Sequence, residues 1–258
     1  MTLPPYCDLL EQLIPIVRAG ADVVMEVYAT DFIVFSKMDA SPVTEADRRA
    51  EAVMLPAVSR LLPAVPVIAE EETAAGRIPT IAERFWLMDP LDGTREFICR
   101  HDEFTVNVAL VEKGVPVLGV VFAPALGSLF AGVNGKGAFI EDARGRRTIT
   151  CRQPPEIGLT VLKSRYHGCT QEFETFLAGL NVASITGAGS SLKLCLIAAG
   201  KADVYPRFGH TMEWDTAAGH AILLAAGGRV VDSVGNPLLY GKPGFDNPNF
   251  IAWGLDEE

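Results

Sequence analysis

The sequence predicts an α/β fold made of two dissimilar halves, and three observations carry that expectation. From Phe104 to Ile140 the chain reads as consecutive strands, "FTVNVALV", "VPVLGVVFA", "SLFAGV" and "GAFI", split by the turn signals "EKG", "PALG" and "NGKG". Connections this short join antiparallel neighbours, so a meander is expected. After about residue 155 the rhythm becomes β/α alternation, which favours a sheet flanked by helices, with ligands outside strand ends and at helix N-termini. No repeat, low-complexity tract or long linker separates the two patterns, so the halves, 1–155 and 156–258 with a boundary near "RQPPEIG", are expected to pack as one body.

Taken in order, Leu10, Leu13, Ile14, Val17, Ala21 and Val24 recur every three to four residues, which predicts an amphipathic first helix with its apolar stripe inward. A second helix is expected over Glu45 to Leu62, stopped by Pro63. The apolar "VPVIA" then runs as a short strand into the acids "EEE", and "FWLM" runs as a buried strand into "DPLD". Beyond the meander come strand "LTVLK", helix "QEFETFLAGL", strand "VASIT", helix "SLKLCLIAAG", strand "ADVYP", helix "DTAAGHAILLAAGG" and strands "RVV" and "FIAW".

Composition narrows the function classes. With 258 residues, 49% of them hydrophobic, the chain can fill a sizeable core. The five cysteines, Cys7, Cys99, Cys151, Cys169 and Cys195, are odd in number, scattered and without a C-x-x-C pair, which suggests neither a disulfide framework nor a zinc site and fits a reducing cytosol. "MTLPPYCDLLEQLIPIVRAG" lacks a basic n-region and an unbroken apolar h-region, and no run approaches the ~20 apolar residues of a membrane span. A soluble, unprocessed, cytoplasmic chain is therefore expected. Lys and Arg number 22 against 32 Asp and Glu, and the formal charge of −10 disfavours a broad polyanion-binding face.

The acids are the informative residues. Asp89 and Asp92 frame Pro-Leu at the end of an apolar run, and Pro90 biases Asp89 toward an extended conformation that delivers its carboxylate into a loop. Asp92 should follow one tight turn later on the same side. Two carboxylates near ~4 Å repel by about 4 kcal/mol at an effective dielectric of 20. Glu70, Glu71 and Glu72 follow a second strand end, so the cluster calls for a cation. Carboxylates plus an exposed carbonyl such as that of Leu91 are the hard oxygen ligands that Mg²⁺ prefers. The plainer alternative is an Asx-turn at Asp92-Gly93 and a solvated acidic loop at 70–72. Gly93 and Thr94 favour the cation, because glycine lets the backbone approach a ligand and N–H groups before "REFI" can face an oxyanion. Asp215, at the head of "EWDTAAGHAILLAAGG", is either a further ligand or a helix N-cap, and Trp214 beside it can be plain core. The four histidines show no metal-binding spacing.

Together and in order, "EEETAAG", "WLMDPLDGTREFI" and "EWDTAAGHAIL" resemble the marks of the lithium-sensitive, magnesium-dependent phosphatase superfamily of inositol monophosphatases and fructose-1,6-bisphosphatases: an EE pair, a D-P-[LI]-D-G-[ST] signature and a late W-D. Within it the chain looks most like the bacterial 3′(2′),5′-bisphosphate nucleotidases of sulfate assimilation, through "SPVTEADRRAE", "DGTREFICRHDEFTVNVALV" and "GSSLKLCLIAAGKADVYPRF". The resemblance implies a layered αβαβα sandwich and a hydrolase that uses two or three Mg²⁺ ions. It assigns Glu70, Asp89, the Leu91 carbonyl, Asp92 and Asp215 to the metals, with Glu72 leaving the register of the acidic pair open. It assigns Gly93 and Thr94 to the phosphate, and pairs Asp47 with Thr94 to orient the attacking water. Ser190, Lys193, Arg207 and His167 match positions that contact the nucleotide in related enzymes, and Lys37 can neutralise nearby charge. The plainer alternative is that Lys193 and Arg207 are solvated surface cations. The implied substrate is adenosine 3′,5′-bisphosphate, with inositol 1-phosphate or fructose 1,6-bisphosphate as rivals that share the metal motifs. A non-catalytic phosphate-metabolite sensor is the rival from another class. Members of the family are often homodimers.

Overall fold

In the computed structural model, which describes residues 4–36, 42–166 and 171–255, two long helices open the chain. Helix α1 (Tyr6–Tyr28) buries all six residues of the predicted stripe and adds Leu9 and Val27 to it. A two-stranded hairpin, β1 (Val34–Ser36) against β2 (Pro42–Thr44), follows and was not predicted, being too short for periodicity to register. Helix α2 (Glu45–Leu61) starts at Thr44, whose hydroxyl accepts the Ala46 N–H while Asp47 accepts the Thr44 N–H, a reciprocal cap. It ends one residue before the predicted limit, where Leu62 leaves helical geometry at φ −139°.

Strand β3 (Val67–Ala69) runs into the single-turn helix α3 (Glu70–Ala74), and β4 (Arg84–Asp92) leads through Gly93 into α4 (Thr94–Ile98). One expectation needs correcting: β4 does not stop before Asp89. It carries "DPLD" as a bulge, since Asp89 pairs with Asn107 and Asp92 with Thr105, so that Pro90 and Leu91 face Val106 alone. Proline cannot donate to a ladder, and a bulge is where a sheet tolerates one. The meander then forms as predicted in β5 (Thr105–Glu112), β6 (Val115–Ala123), β7 (Ser128–Val133) and β8 (Gly137–Asp142), with an unpredicted fifth member, β9 (Gly145–Ile149). The result is a seven-stranded sheet in chain order β3 to β9, parallel only between β3 and β4.

The second half supplies β10 (Leu159–Ser164), α5 (Gln171–Leu177), β11 (Val182–Ala188), α6 (Leu192–Ala198), β12 (Val204–Arg207), α7 (Glu213–Ala225), β13 (Arg229–Asp232) and β14 (Phe250–Trp253). The strands align as β11-β10-β12-β14-β13, parallel in the first three and antiparallel in the last two. Alternation along β4 shows the layering: Trp86 and Met88 join the core under α1 and α2, while Phe85 and Leu87 join the one that contains α6, α7 and residues of the second sheet. A smaller cluster of Val161, Phe173 and Val204 seats α5 on the outer face. The order is therefore helix pair, sheet, helix pair, sheet, helix, the αβαβα sandwich. No helix among the described residues is long and apolar enough to cross a membrane.

Candidate active site

The acids meet where the two sheets face each other across α7. Asp89 and Asp92 arrive on the β4 bulge, Asp215 on the first turn of α7 and Glu70 on the first turn of α3. Asp89, Asp92 and Asp215 bring ligand oxygens within 4.8 Å of one another. Glu70 lies close enough to share a hydrogen bond with Asp89. The bulge is braced from inside, because the Leu91 N–H donates to Asp89 Oδ1 at 2.9 Å. Asp215 is not an N-cap: Met212 holds that place, and Asp215, three residues on, accepts the Met212 N–H at 2.8 Å.

Gly93 turns the chain at φ +86° and ψ +42°, a left-handed geometry that favours glycine, and so leads into the turn that begins at Thr94. The Thr94 hydroxyl lies 3.5 Å from Asp47 Oδ1 and 3.4 Å from the Leu91 carbonyl oxygen. Asp47 is fully buried and also accepts the Thr44 N–H and hydroxyl at 2.7 and 2.8 Å. Glu72 stands apart, paired with Arg77 at 2.6 Å on the surface. Of the three consecutive acids, Glu70 is the one that faces the cleft.

The cleft is a cavity of about 210 Å³ lined by Glu70, Asp92, Gly93, Thr94 and Asp215 on one side and by Ser190, Lys193, Tyr205 and Arg207 on the other. Lys193 and Arg207 are not surface cations, being 5% and 8% exposed. The Lys193 ammonium donates to the carbonyls of Ser190 and Ala188 at 2.5 and 3.3 Å. The Arg207 guanidinium donates to the His210 carbonyl at 2.7 Å, and its buried Nε has no hydrogen-bond partner. Ser190, at φ +44°, donates to the Glu103 carbonyl at 2.6 Å. His167 and Lys37 lie outside the described residues.

Three residues that sequence reasoning missed complete the frame. The Ser191 N–H donates to Asp92 Oδ2 at 2.5 Å, the Ser191 hydroxyl donates to Asn107 Oδ1 at 2.8 Å, and Asn107 in turn lies 3.5 Å from Asp92. Glu51, 3% exposed, accepts the N–H groups of Glu71 and Glu72. Its signal was available: Asp47 and Glu51 stand four residues apart, on one face of α2, among the buried Ala46, Ala50, Met54 and Val58.

Electrostatics fit a site built for cations. Burial, reinforced by Glu70, pushes Asp47 up to about 7, and burial pushes Asp92 up to about 6 against the opposing charge of Lys193. Asp89 and Asp215 are held well above the usual carboxylate range by burial, Asp89 next by Glu70 and Asp215 next by Asp92. Lys193 is lowered to about 8 by the same burial. By contrast His220, hydrogen-bonded to Tyr240 inside the core and pushed down to about 3 by burial, is structural.

The layers and the buried acids define an αβαβα protein with a cluster of carboxylates at the junction of its sheets. The chain belongs to the inositol monophosphatase family, whose profile matches residues 8–258. It is 44% identical over 247 residues, 94% of this chain and 98% of the relative, to the 3′(2′),5′-bisphosphate nucleotidase CysQ of Escherichia coli. Against the CysQ of Buchnera aphidicola it is 38% identical over 252 residues, 96% and 94% of the two chains. The crystal structure of CysQ from Bacteroides thetaiotaomicron, a bacterial member of the family, superposes with a TM-score of 0.79 at 36% identity, covering 96% of this chain and 97% of that one.

Proposed function

We propose that the chain is a Mg²⁺-dependent phosphatase that removes the 3′-phosphate of adenosine 3′,5′-bisphosphate, giving AMP and inorganic phosphate. The observation that carries this reading is the division of one cavity between clustered carboxylates and two buried cations, in a chain 44% identical to a bisphosphate nucleotidase. The carboxylate set fits hard divalent cations: it offers oxygen alone, and its members are uncomfortable when charged together without one. Glu70, Asp89, the Leu91 carbonyl, Asp92 and Asp215 would hold them. When bound, such ions supply positive charge that acidifies water and offsets charge on the transferring phosphate.

The protein's own groups do the positioning. Asp47 and Thr94 orient the attacking water, and the N–H groups of Gly93 and Thr94 hold phosphate oxygens. Water oxygen bonds to phosphorus in line and gives up a proton, the P–O bond to the ribose 3′-oxygen breaks, and that oxygen takes up a proton from water to leave as a hydroxyl. Across the cavity the Arg207 guanidinium meets the 5′-phosphate, while Lys193 sets the local charge and ties down the Ser190 turn. Burial of these cations explains how a chain of formal charge −10 accepts a phosphate dianion. A homodimer belongs to the same reading, since β11 is an outer strand with Ile185 46% exposed; light scattering on the purified chain tests it.

Phosphate release with Mg²⁺ across adenosine 3′,5′-bisphosphate, inositol 1-phosphate and fructose 1,6-bisphosphate tests the assignment. The bisphosphate nucleotide should give the highest kcat/KM, and EDTA should abolish turnover. Preference for either rival substrate would replace the nucleotidase assignment, and no turnover of any would favour a sensor.

A further inference from the structure

Among the buried acids, Glu51 touches neither the cavity nor any residue assigned to substrate, yet it is almost wholly enclosed at 3% exposure. A buried carboxylate is costly unless its oxygens are satisfied, so what satisfies them tells what it is for. Glu51 Oε2 accepts the Glu71 N–H at 2.8 Å and Oε1 accepts the Glu72 N–H at 2.9 Å. These belong to the first turn of α3, whose N-cap residue Ala69 brings no side chain to cap it. A neighbouring helix thus provides the cap that the local sequence lacks.

We propose that Glu51 is a positioning residue for the cation site: by gripping two successive amides it fixes the rotation of α3 and so the direction in which Glu70 points. This rests on the reading of Glu70 as a cation ligand. Two restraints converge there. Parallel pairing of β3 with β4 places Ala69 opposite Met88, which sets the depth of Glu70 beside Asp89. Strand pairing ends at Ala69, and beyond it the two hydrogen bonds hold the Glu70–Glu71 and Glu71–Glu72 peptide planes together. The grip needs two acceptors on one group, which a carboxylate has and an amide lacks. Since Asp47 is carried four residues earlier on the same helix, α2 sets the water-orienting acid and the ligand-bearing turn in one frame.

The test compares Glu51→Gln, nearly isosteric but with a donor facing one of the two N–H groups, with Val58→Ala, which opens a cavity elsewhere in α2 at a fully buried position. Mg²⁺ binding is measured by calorimetry without substrate, alongside kcat, KM and thermal stability. Loss of a group that orients a metal ligand costs roughly 10–100-fold in affinity. Glu51→Gln should therefore weaken Mg²⁺ binding about tenfold or more, with kcat recovering at saturating Mg²⁺ and the KM for the nucleotide unchanged. Val58→Ala should lower the melting temperature and leave Mg²⁺ affinity alone. Glu51→Asp, which keeps both acceptors, should lose less affinity than Glu51→Gln, and this comparison stands even if the Gln variant folds poorly. Unaltered affinity in Glu51→Gln, or an equal loss in Val58→Ala, would overturn the proposal while leaving the phosphatase reading intact. A wild-type chain that binds no Mg²⁺ would remove both.

Discussion

Glu72 and Asp89 are the same functional group in opposite surroundings. Glu72 sits on the surface against Arg77, which holds its carboxyl below the usual range, whereas Asp89 is 1% exposed, and that burial, then the acids around it, hold it well above. Exposed pairs contribute about 0–1 kcal/mol, so Glu72→Gln should leave kcat within about twofold and shift stability little. Asp89→Asn removes charge at the centre of the cluster and should lower kcat/KM by about a hundredfold or more, the scale seen when one electrostatic contact to a transition state is lost. Steady-state kinetics on the pair decide it, and inactivation by Glu72→Gln together with an active Glu70→Gln would move the acidic pair by two residues. The register was open in the sequence because three consecutive glutamates look alike; the partner Arg77, five residues on, separates them only in space. Arg207 gives a second prediction. Removing a charge-assisted contact to phosphate costs roughly 1.5–3 kcal/mol, so Arg207→Ala should raise the KM for adenosine 3′,5′-bisphosphate about tenfold or more. Inositol 1-phosphate, with no second phosphate, should keep its KM within about threefold at saturating Mg²⁺.

At the scale of elements, what could be read from the chain followed burial. Strands β5 to β8 were legible because hydrophobic runs punctuated by turn residues leave few alternatives, and α1 because a helical stripe is long. Strand β9, "GRRTI", was not: it is an edge strand with two arginines in its first three positions, protected from pairing by the charges that hide it from a hydrophobic pattern. The bulge in β4 was likewise invisible, because it is defined by β5 across from it. Asn107 and Ser191 escaped notice for the same reason, each being an isolated polar residue whose role exists only once two elements meet. One close approach makes the element scale testable. Gly119 of β6 lies against α7 so tightly that a Cβ there would stand 2.4 Å from the Ala218 carbonyl oxygen and 2.9 Å from its Cα. Gly119→Ala must therefore push α7, and with it Asp215, away from the sheet. Overpacking of this kind costs typically 1–3 kcal/mol, and the urea midpoint should fall accordingly at unchanged m-value. The Mg²⁺ concentration for half-maximal activity should rise in parallel; a stability loss with unmoved Mg²⁺ dependence would show that α7 deforms without displacing Asp215.

For the whole molecule, the concentration of buried acids links cation binding to pH. Asp47, Glu51 and Asp92 titrate near 7, 7 and 6 in the folded chain, chiefly through burial, against ordinary values of 3.8 for aspartate and 4.5 for glutamate. A folded-state value raised above the unfolded one means that the folded chain binds protons more tightly. The stabilisation is thus fully present below about pH 4 and is lost as pH rises through 6 to 7. Each such group contributes on the order of 1.4 kcal/mol for every pH unit that separates its folded and unfolded titrations. Ion pairs such as Asp142 with Arg147 act oppositely, but Asp142 is held far below the usual carboxylate range and changes state only in strong acid. His220, pushed down to about 3 by burial against an ordinary 6.5, also opposes the acids and adds stability as pH rises to 6.5. Three buried acids outweigh one histidine between pH 5 and 8, and the chain stripped of divalent ions should lose about 5 °C or more in melting temperature across that range. Divalent cations compete with protons for the oxygens of Asp92 and of its neighbours Asp89 and Asp215, so their stabilising effect should run the other way, small at pH 5 and largest at pH 8. Thermal melts in EDTA and in excess Mg²⁺ at pH 5, 6, 7 and 8 measure both slopes. A metal-free melting temperature that rises with pH, or a Mg²⁺ increment independent of pH, would mean that the clustered carboxylates are not what couples this fold to its cations.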